Sequence, residues 1–210
     1  MIKGLYILIP AKNEQKNISK VIKIFKKSGK VVIINDNSTD LTYKLSKKNS
    51  FKIISNNDDK GYDFSIKKGI EFIIKRKDAK YIMTIDGDGQ HPSVNFKKII
   101  KYMKTYDLII FNRKKLARIS EYFVNIVSNF FFSIKDPLSG MKLYKVSILK
   151  KNFFKINKNI DYVGMFFFKI YKKKNKLNLE IKTKKSNKIS SFGKGLATNV
   201  KIINSFIKSL

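Results

Sequence analysis

Tyr81-Ile82-Met83-Thr84-Ile85-Asp86-Gly87-Asp88-Gly89-Gln90-His91-Pro92 decides how the rest of this 210-residue chain is read. Residues 81–85 are apolar or β-branched and read as a buried strand. Two glycines and a proline then stop it sharply. Two carboxylates one residue apart therefore arrive at a strand end, where open α/β sheets bind ligands. Positions i and i+2 of a strand share a face, and the glycines let the backbone turn, so both carboxylates can reach one hard cation. Two readings stand on this stretch alone. One is a polar turn with an aspartate-rich tip, and the other is a divalent-metal site for a phosphate-bearing substrate.

Working outward, strands and helices alternate. Gly4–Pro10 reads as a first strand, followed by Ala11-Lys12-Asn13-Glu14 and a helix from about Asn17 with Ile18, Val21, Ile22 and Phe25 on one face. Gly29 is expected at its C′ position. Val31–Ile34 is a second strand ending in Asn35-Asp36-Asn37-Ser38-Thr39-Asp40, where Ser38 or Thr39 can cap the next helix. Phe51–Ser55 is a third strand, and a helix bearing Ile66, Ile70, Ile73 and Ile74 follows. Beyond the opening stretch, Ser93 can cap a helix with Phe96, Ile99, Ile100 and Met103 inward, and Asp107–Phe111 is a fifth strand. Continuous apolar strands alternating with helices predict an α/β fold with a mostly parallel sheet covered on both faces. Three strand ends carry carboxylate-bearing loops (Asn13-Glu14, Asp36 and Asp86/Asp88), so a single cleft is expected.

The second half is less regular. Ile119, Phe123, Ile126, Val127 and Phe130 form a helical stripe, Lys135–Gly140 is a turn, and Met141–Tyr144 is a short strand. Asp161–Lys172 reads as a very apolar helix and Leu177–Lys182 as a further strand. Leu196–Leu210 reads as a basic amphipathic helix.

The chain has no cysteine and one histidine, which excludes disulfides, thiol nucleophiles and histidine-rich metal sites. Its first residues open directly into a strand, and its longest charge-free apolar stretch, Tyr122–Ile134, is 13 residues and too short to span a bilayer. A cytoplasmic location is expected. The net charge of +31 raises nucleic-acid and membrane readings, but 43 of the 46 basic residues are lysine, a pattern that coding bias also produces. No nucleic-acid reader motif accompanies the charge, so no nucleic-acid partner is expected. Peripheral contact with an anionic membrane is expected instead, since basic clusters gain about 1 kcal/mol per residue near such a surface. The scarcity of arginine makes Arg113 and Arg118, two of only three, informative.

Five ordered motifs, Ile9-Pro10-Ala11-Lys12-Asn13-Glu14, Asn35–Asp40, Lys60-Gly61, Asp86–Pro92 and Asp136-Pro137-Leu138-Ser139-Gly140, resemble those of family 2 glycosyltransferases, most closely the dolichyl- or polyprenyl-phosphate sugar transferase branch. The likeness covers roughly residues 4–145. It implies a single GT-A-type (Rossmann-like) domain over residues 1–195, with a nucleotide-sugar half to about 112 and an acceptor half from about 113, then a short basic helical extension over 196–210. It implies a metal-dependent, inverting transfer from a nucleotide-diphospho-sugar to a polyprenyl- or dolichyl-phosphate lipid; a saccharide hydroxyl of an envelope glycan is the alternative acceptor. By the same likeness Pro10, Asn13 and Glu14 line the nucleoside pocket and Asp36 accepts from the base. Asp86 lies beside ribose and diphosphate and near the metal, and Asp88 with Gln90 holds Mg²⁺ or Mn²⁺. Asn35 stands where the family often has a second aspartate, and Lys12 where it usually has tyrosine.

The remaining candidates lie outside the donor pocket and the metal pair or carry more than one reading. Asp136 is a general base if the acceptor is a hydroxyl, a positioning group if it is a phosphate, or simply a turn residue. Arg113 toward the donor and Arg118 toward the acceptor can clamp phosphates bidentately, as lysine cannot. Ser139 joins Arg118 on the acceptor side, Lys60 can reach donor phosphates, and His91 reads as a loop-ordering residue. The phenylalanines at 130–132 and 166–168 read as core, or in part as a membrane-resting surface.

Overall fold

A computed structural model of the protein describes residues 1–116, 118–153, 168–184 and 196–209. In chain order these form β1 (Leu5–Ala11), α1 (Ile18–Phe25), β2 (Lys30–Asn35), α2 (Thr42–Asn49), β3 (Lys52–Ser55), α3 (Tyr62–Ile74) and β4 (Tyr81–Thr84). There follow α4 (Phe96–Thr105), β5 (Leu108–Arg113), α5 (Ile119–Phe132), β6 (Lys142–Lys145), α6 (Val146–Asn152), β7 (Lys176–Ile181) and α7 (Leu196–Ser209). The strands make one sheet in the order β3-β2-β1-β4-β6-β5-β7. Neighbours are parallel except around β6, which runs antiparallel to both β4 and β5.

This topology positions the cleft. The chain leaves β1 outward through β2 and β3, then returns to pair β4 on the other side of β1. The carboxyl ends of β1 and β4 thus flank the point where strand order reverses, where ligands of open α/β sheets sit. Because β6 is antiparallel, its first residue lies at that same edge, opposite Thr84 of β4. The Asp136–Gly140 turn is thereby delivered to the loops that follow β1, β2 and β4.

Side chains alternate between two layers, as strand geometry requires. Tyr6 and Leu8 of β1 join a core with Ile66, Ile70 and Ile73 of α3, Val124 of α5 and Phe206 of α7. Leu5, Ile7 and Ile9 face the opposite core, with Ile18, Val21, Ile22 and Phe25 of α1 and Ile99 and Met103 of α4. Each fully buried side chain of this size stabilises by about 1.5–3 kcal/mol, so the periodic stripe of α1 alone explains why that segment is helical and docked. Gly69 lets α3 approach β1, since a Cβ there would overlap the Leu8 side chain.

Several local expectations are corrected. Gly29 does not close α1 in the left-handed conformation; the helix ends at Phe25, and Gly29 is needed because a Cβ would lie 2.7 Å from the Leu5 carbonyl oxygen. Asp40, not Ser38 or Thr39, accepts from the Thr42 amide at the start of α2. Asn95, not Ser93, caps α4 through the Lys97 and Lys98 amides, and Ile100 of that helix is exposed. The fifth strand extends to Arg113. The largest departure is α5: its apolar stripe faces outward, while Ser120, Glu121 and Ser128 are buried with Val124 and Phe132. Of the helix expected over Asp161–Lys172, residues 168–171 are helical, and the part before residue 168 lies outside the described residues.

Candidate active site

The loops after β1 and β2 are tied together first. Asn13 adopts a left-handed backbone, φ 53°, which asparagine tolerates better than most residues. Its amide donates to Ser38 Oγ at 3.1 Å and its Oδ1 accepts from the Thr39 amide at 2.9 Å. The Glu14 amide donates to Thr42 Oγ1 at 2.7 Å. Asp36, buried at the end of β2, accepts from Asn56 Nδ2 at 2.7 Å and from the Lys60 and Gly61 amides at 3.1 and 2.9 Å. It thereby fixes the Asn56–Gly61 loop beside the cleft. Lys60 Nζ, expected to reach donor phosphates, pairs instead with Asp58 at 2.6 Å, and the neighbouring Lys12 pairs with Asp59.

The centre is Asp86 and Asp88. Gly87 packs against β1, where a Cβ would lie 3.2 Å from the Pro10 carbonyl oxygen and 3.4 Å from Glu14 Cγ. That contact brings Pro10, Glu14 and the aspartate loop together. Asp88 Oδ1 accepts from the Gln90 amide at 2.9 Å. Asp86 Oδ2 meets His91 Nε2 at 3.0 Å. His91 is buried and orders the loop, as its sequence reading expects. A Cβ on Gly140 would overlap the Asp86 carboxylate, so the glycine of the Asp136–Gly140 turn is required for Asp86 to lie where it does.

Electrostatics separate the two aspartates. Burial alone raises the Asp86 pKa, but the hydrogen bond and charge of His91, then Tyr62 and the nearby Lys142 ammonium, hold it below the usual carboxylate value. Asp88 is pushed up, by burial first and by the charge of Asp86 second. Two like charges side by side favour a shared cation, and Asp86 Oδ1 is buried without a hydrogen-bond partner. Among the described residues no group of three or more histidine, aspartate, glutamate or cysteine side chains is placed to hold a metal ion by itself. A pair of carboxylates with an unsatisfied oxygen fits Mg²⁺ or Mn²⁺, which complete their shells with substrate phosphates and water.

Across the cleft the arginines form a network. Arg113 Nε and Nη2 donate to Asp136 Oδ2 and Oδ1 at 2.8 and 2.7 Å, and the Arg113 amide adds a third bond to Oδ2 at 2.8 Å. Glu121 joins the two arginines, Oε2 accepting from Arg113 Nη2 at 3.0 Å and Oε1 from Arg118 Nη1 at 2.8 Å. Asp136 is buried with φ 48°, and Asn125 Oδ1 accepts from its amide. Both Asp136 carboxylate oxygens are held by the Arg113 guanidinium, so Asp136 anchors Arg113 in this arrangement. Ser139 is likewise committed to backbone: its buried hydroxyl donates to the Phe111 carbonyl at 2.7 Å. The turn serine thus shapes the turn and presents no free hydroxyl to the cleft.

Three contributors escape a sequence reading. Glu121 is the lone acid between Leu108 and Lys135 and stands three residues after Arg118, a weak but real signal. Tyr62 carries no local pattern. Lys142 is hidden among 43 lysines, yet it is buried at the start of β6, donates to the Ser139 carbonyl oxygen and lies over the Phe168 ring. Burial pushes its pKa down to about 8, against the attraction of Asp136 and Asp86.

Comparison with known proteins bears on the family and the fold. The model of glycosyl transferase family 2 matches residues 6–173. Two uncharacterised proteins of Methanocaldococcus jannaschii are similar, one 30% identical over 165 residues (68% of this chain and 72% of the relative) and one 27% identical over 163 residues (70% and 67%). Among solved structures, glucosyl-3-phosphoglycerate synthase from Mycobacterium tuberculosis in complex with Mn²⁺, UDP-glucose and phosphoglyceric acid superposes with TM-score 0.69 at 13% identity, covering 99% of this chain and 80% of that one. Mannosyl-3-phosphoglycerate synthase from Rubrobacter xylanophilus superposes with TM-score 0.66 at 10% identity, covering 99% and 72%.

Proposed function

The chain belongs to glycosyl transferase family 2, and from this premise we propose that it moves a sugar from a nucleotide-diphospho-sugar to a polyprenyl-phosphate acceptor, with Mg²⁺ or Mn²⁺ and with inversion. Pro10, Asn13, Glu14 and Asp36 belong to the donor side, and Asp86, Asp88 and Gln90 to the metal and diphosphate. Bound there, the metal supplies Lewis-acid neutralisation of charge on the departing nucleoside diphosphate. Structural neighbours crystallised with Mn²⁺ and uridine diphosphate support the same use of the site.

One observation carries the choice of a phosphate acceptor: Asp136 has both oxygens bound to Arg113. A sugar hydroxyl needs a base to remove its proton. A phosphate acceptor is already ionised and needs only cations to hold it. Arg113 and Arg118, linked by Glu121, are the groups suited to that task, and Lys142 adds positive charge at the floor. Arg113 is also close enough to Asp86 to feel its charge, so it can serve the donor diphosphate as well. A peripheral position at the cytoplasmic face of a membrane follows from a lipid acceptor. Among the described residues no helix is long and apolar enough to cross a membrane.

A second reading is favoured by the neighbours that bind phosphoglyceric acid, namely transfer to a hydroxyl of a small phosphorylated acid. The enzyme, Mn²⁺ and a panel of nucleotide sugars, incubated in turn with polyprenyl phosphate, phosphoglycerate and a neutral oligosaccharide, separate these readings. A charged glycolipid product is expected. Product formed with phosphoglycerate or the oligosaccharide alone would overturn the lipid assignment.

A further inference from the structure

Helix α5 is inverted relative to an ordinary surface helix. Ile119, Tyr122, Phe123, Ile126 and Phe130 recur at helical spacing, and together with Phe131 they are exposed. Ile119, Ile126 and Phe130 reach 84%, 70% and 82% exposure. The inner face holds Ser120, Glu121 and Ser128 beside Val124 and Phe132. Between Ile119 and Phe132 Glu121 is the only ionisable carboxyl, and it is buried against the arginines. The outward face is therefore uncharged over its whole length and mostly apolar, with Asn129 exposed among the large side chains. A water-facing helix of this composition loses stability for no structural return, and contiguous exposed apolar surface of this kind marks an interaction site.

The surroundings identify what it meets. Lys114 and Lys115 precede the helix, Lys135 follows it, all three are exposed, and Lys172 lies 5.6 Å over the Phe132 ring. An apolar stripe bordered by lysines is the composition of helices that lie in the interface of an anionic bilayer. The helix also begins at the site, since Arg118 and Glu121 sit at its first turn. The geometry points to α5 as the face by which this protein lies on an anionic lipid surface, its long axis in the interface and its first turn holding the arginine network at the lipid edge. This deepens the lipid-phosphate reading above and rests on it for the acceptor. The phosphate of a membrane-anchored acceptor then meets Arg113 and Arg118 without leaving the interface.

The absence of cysteine makes the test direct. An environment-sensitive fluorophore is placed on Ile126→Cys, on Phe130→Cys and on Lys47→Cys, the last in α2, which packs on the opposite layer. The labelled full-length proteins are mixed with vesicles of phosphatidylglycerol and phosphatidylcholine, or of phosphatidylcholine alone. A blue shift at 126 and 130 but not at 47, with the anionic vesicles alone, is expected. Vesicle binding without a shift at 126 and 130 overturns the proposal. A shift already present without lipid also overturns it, with loss on dilution indicating a second copy and persistence indicating another part of this chain. The double variant Ile126→Lys/Phe130→Lys should keep its transfer to a short, water-soluble prenyl phosphate and lose about tenfold or more with a long-chain acceptor in vesicles. Insertion of the labels with no transfer to either prenyl phosphate would leave the docking face standing and refute the acceptor assignment.

Discussion

The pairing of Asp136 with Arg113 decides how the acceptor half works. A buried, bidentate pair loses roughly 3–5 kcal/mol when one partner is removed, because the other charge is left uncompensated. Asp136→Asn and Arg113→Lys should therefore impair transfer to similar degrees, and the double variant should be far from additive. If Asp136 were instead an independent base, Arg113→Lys would keep most of the activity that Asp136→Asn loses, and the effects would add. Lys142 offers a second test at this scale. Its folded pKa of about 8 lies below the ordinary lysine value of 10.5. Below pH 8 both folded and unfolded chains carry the proton, and the folded state bears the whole cost of burying it. Between pH 8 and about 10.5 unfolding takes up a proton, so stability contributed at this position rises with pH. At about 1.4 kcal/mol per unit, the span corresponds to roughly 3 kcal/mol. Lys142→Met should accordingly gain stability relative to the parent below pH 8, and thermal unfolding should show that gain shrinking toward pH 10.5. A difference that does not change with pH would contradict the buried ammonium.

At the scale of elements, the antiparallel strand β6 joins the two halves of the cleft. It brings Gly140 against Asp86 and Lys142 near Asp86 and Asp136, so the sequence entering β6 shapes the proposed metal pair. Gly140→Ala should displace Asp86 and weaken metal-dependent nucleotide binding by at least about tenfold, at about 1–3 kcal/mol in stability. Binding and unfolding measured on the same sample check both effects, and unchanged metal-dependent binding would contradict the contact. This part of the molecule was also the least legible from sequence. The strands, the helices α1 and α3, and the strand-end loops with Asn13, Asp36, Asp86 and Asp88 follow from periodicity and turn chemistry that are local. The outward face of α5 does not, because its 3.6-residue stripe is the same whether core or interface covers it. Nor does the Glu121 bridge, which needs Arg113 from the strand before it. Strand direction at β6 is set by the pairing of residues more than 50 positions apart.

Over the whole molecule, one sheet edge gathers everything the chemistry requires. The strand order reverses between β1 and β4, and the loops from β1, β2 and β4 converge there with the turn that enters β6. In the proposed reaction the opening stretch of sequence is the meeting line of donor and acceptor sides. Asp86 is held there by His91 and pressed against Gly140. The large positive charge is spread over many faces and steers anions to the surface in general. The paired carboxylates are the local exception, and they demand a cation before a diphosphate can approach. Calorimetric titration of uridine and guanosine diphosphates into the protein and into Asp88→Asn, with and without Mn²⁺, tests this most directly. The account predicts that at least one nucleoside diphosphate binds only with Mn²⁺, and that Asp88→Asn loses this binding while keeping its fold. Equal binding with and without the metal, or unchanged binding to Asp88→Asn, would contradict it.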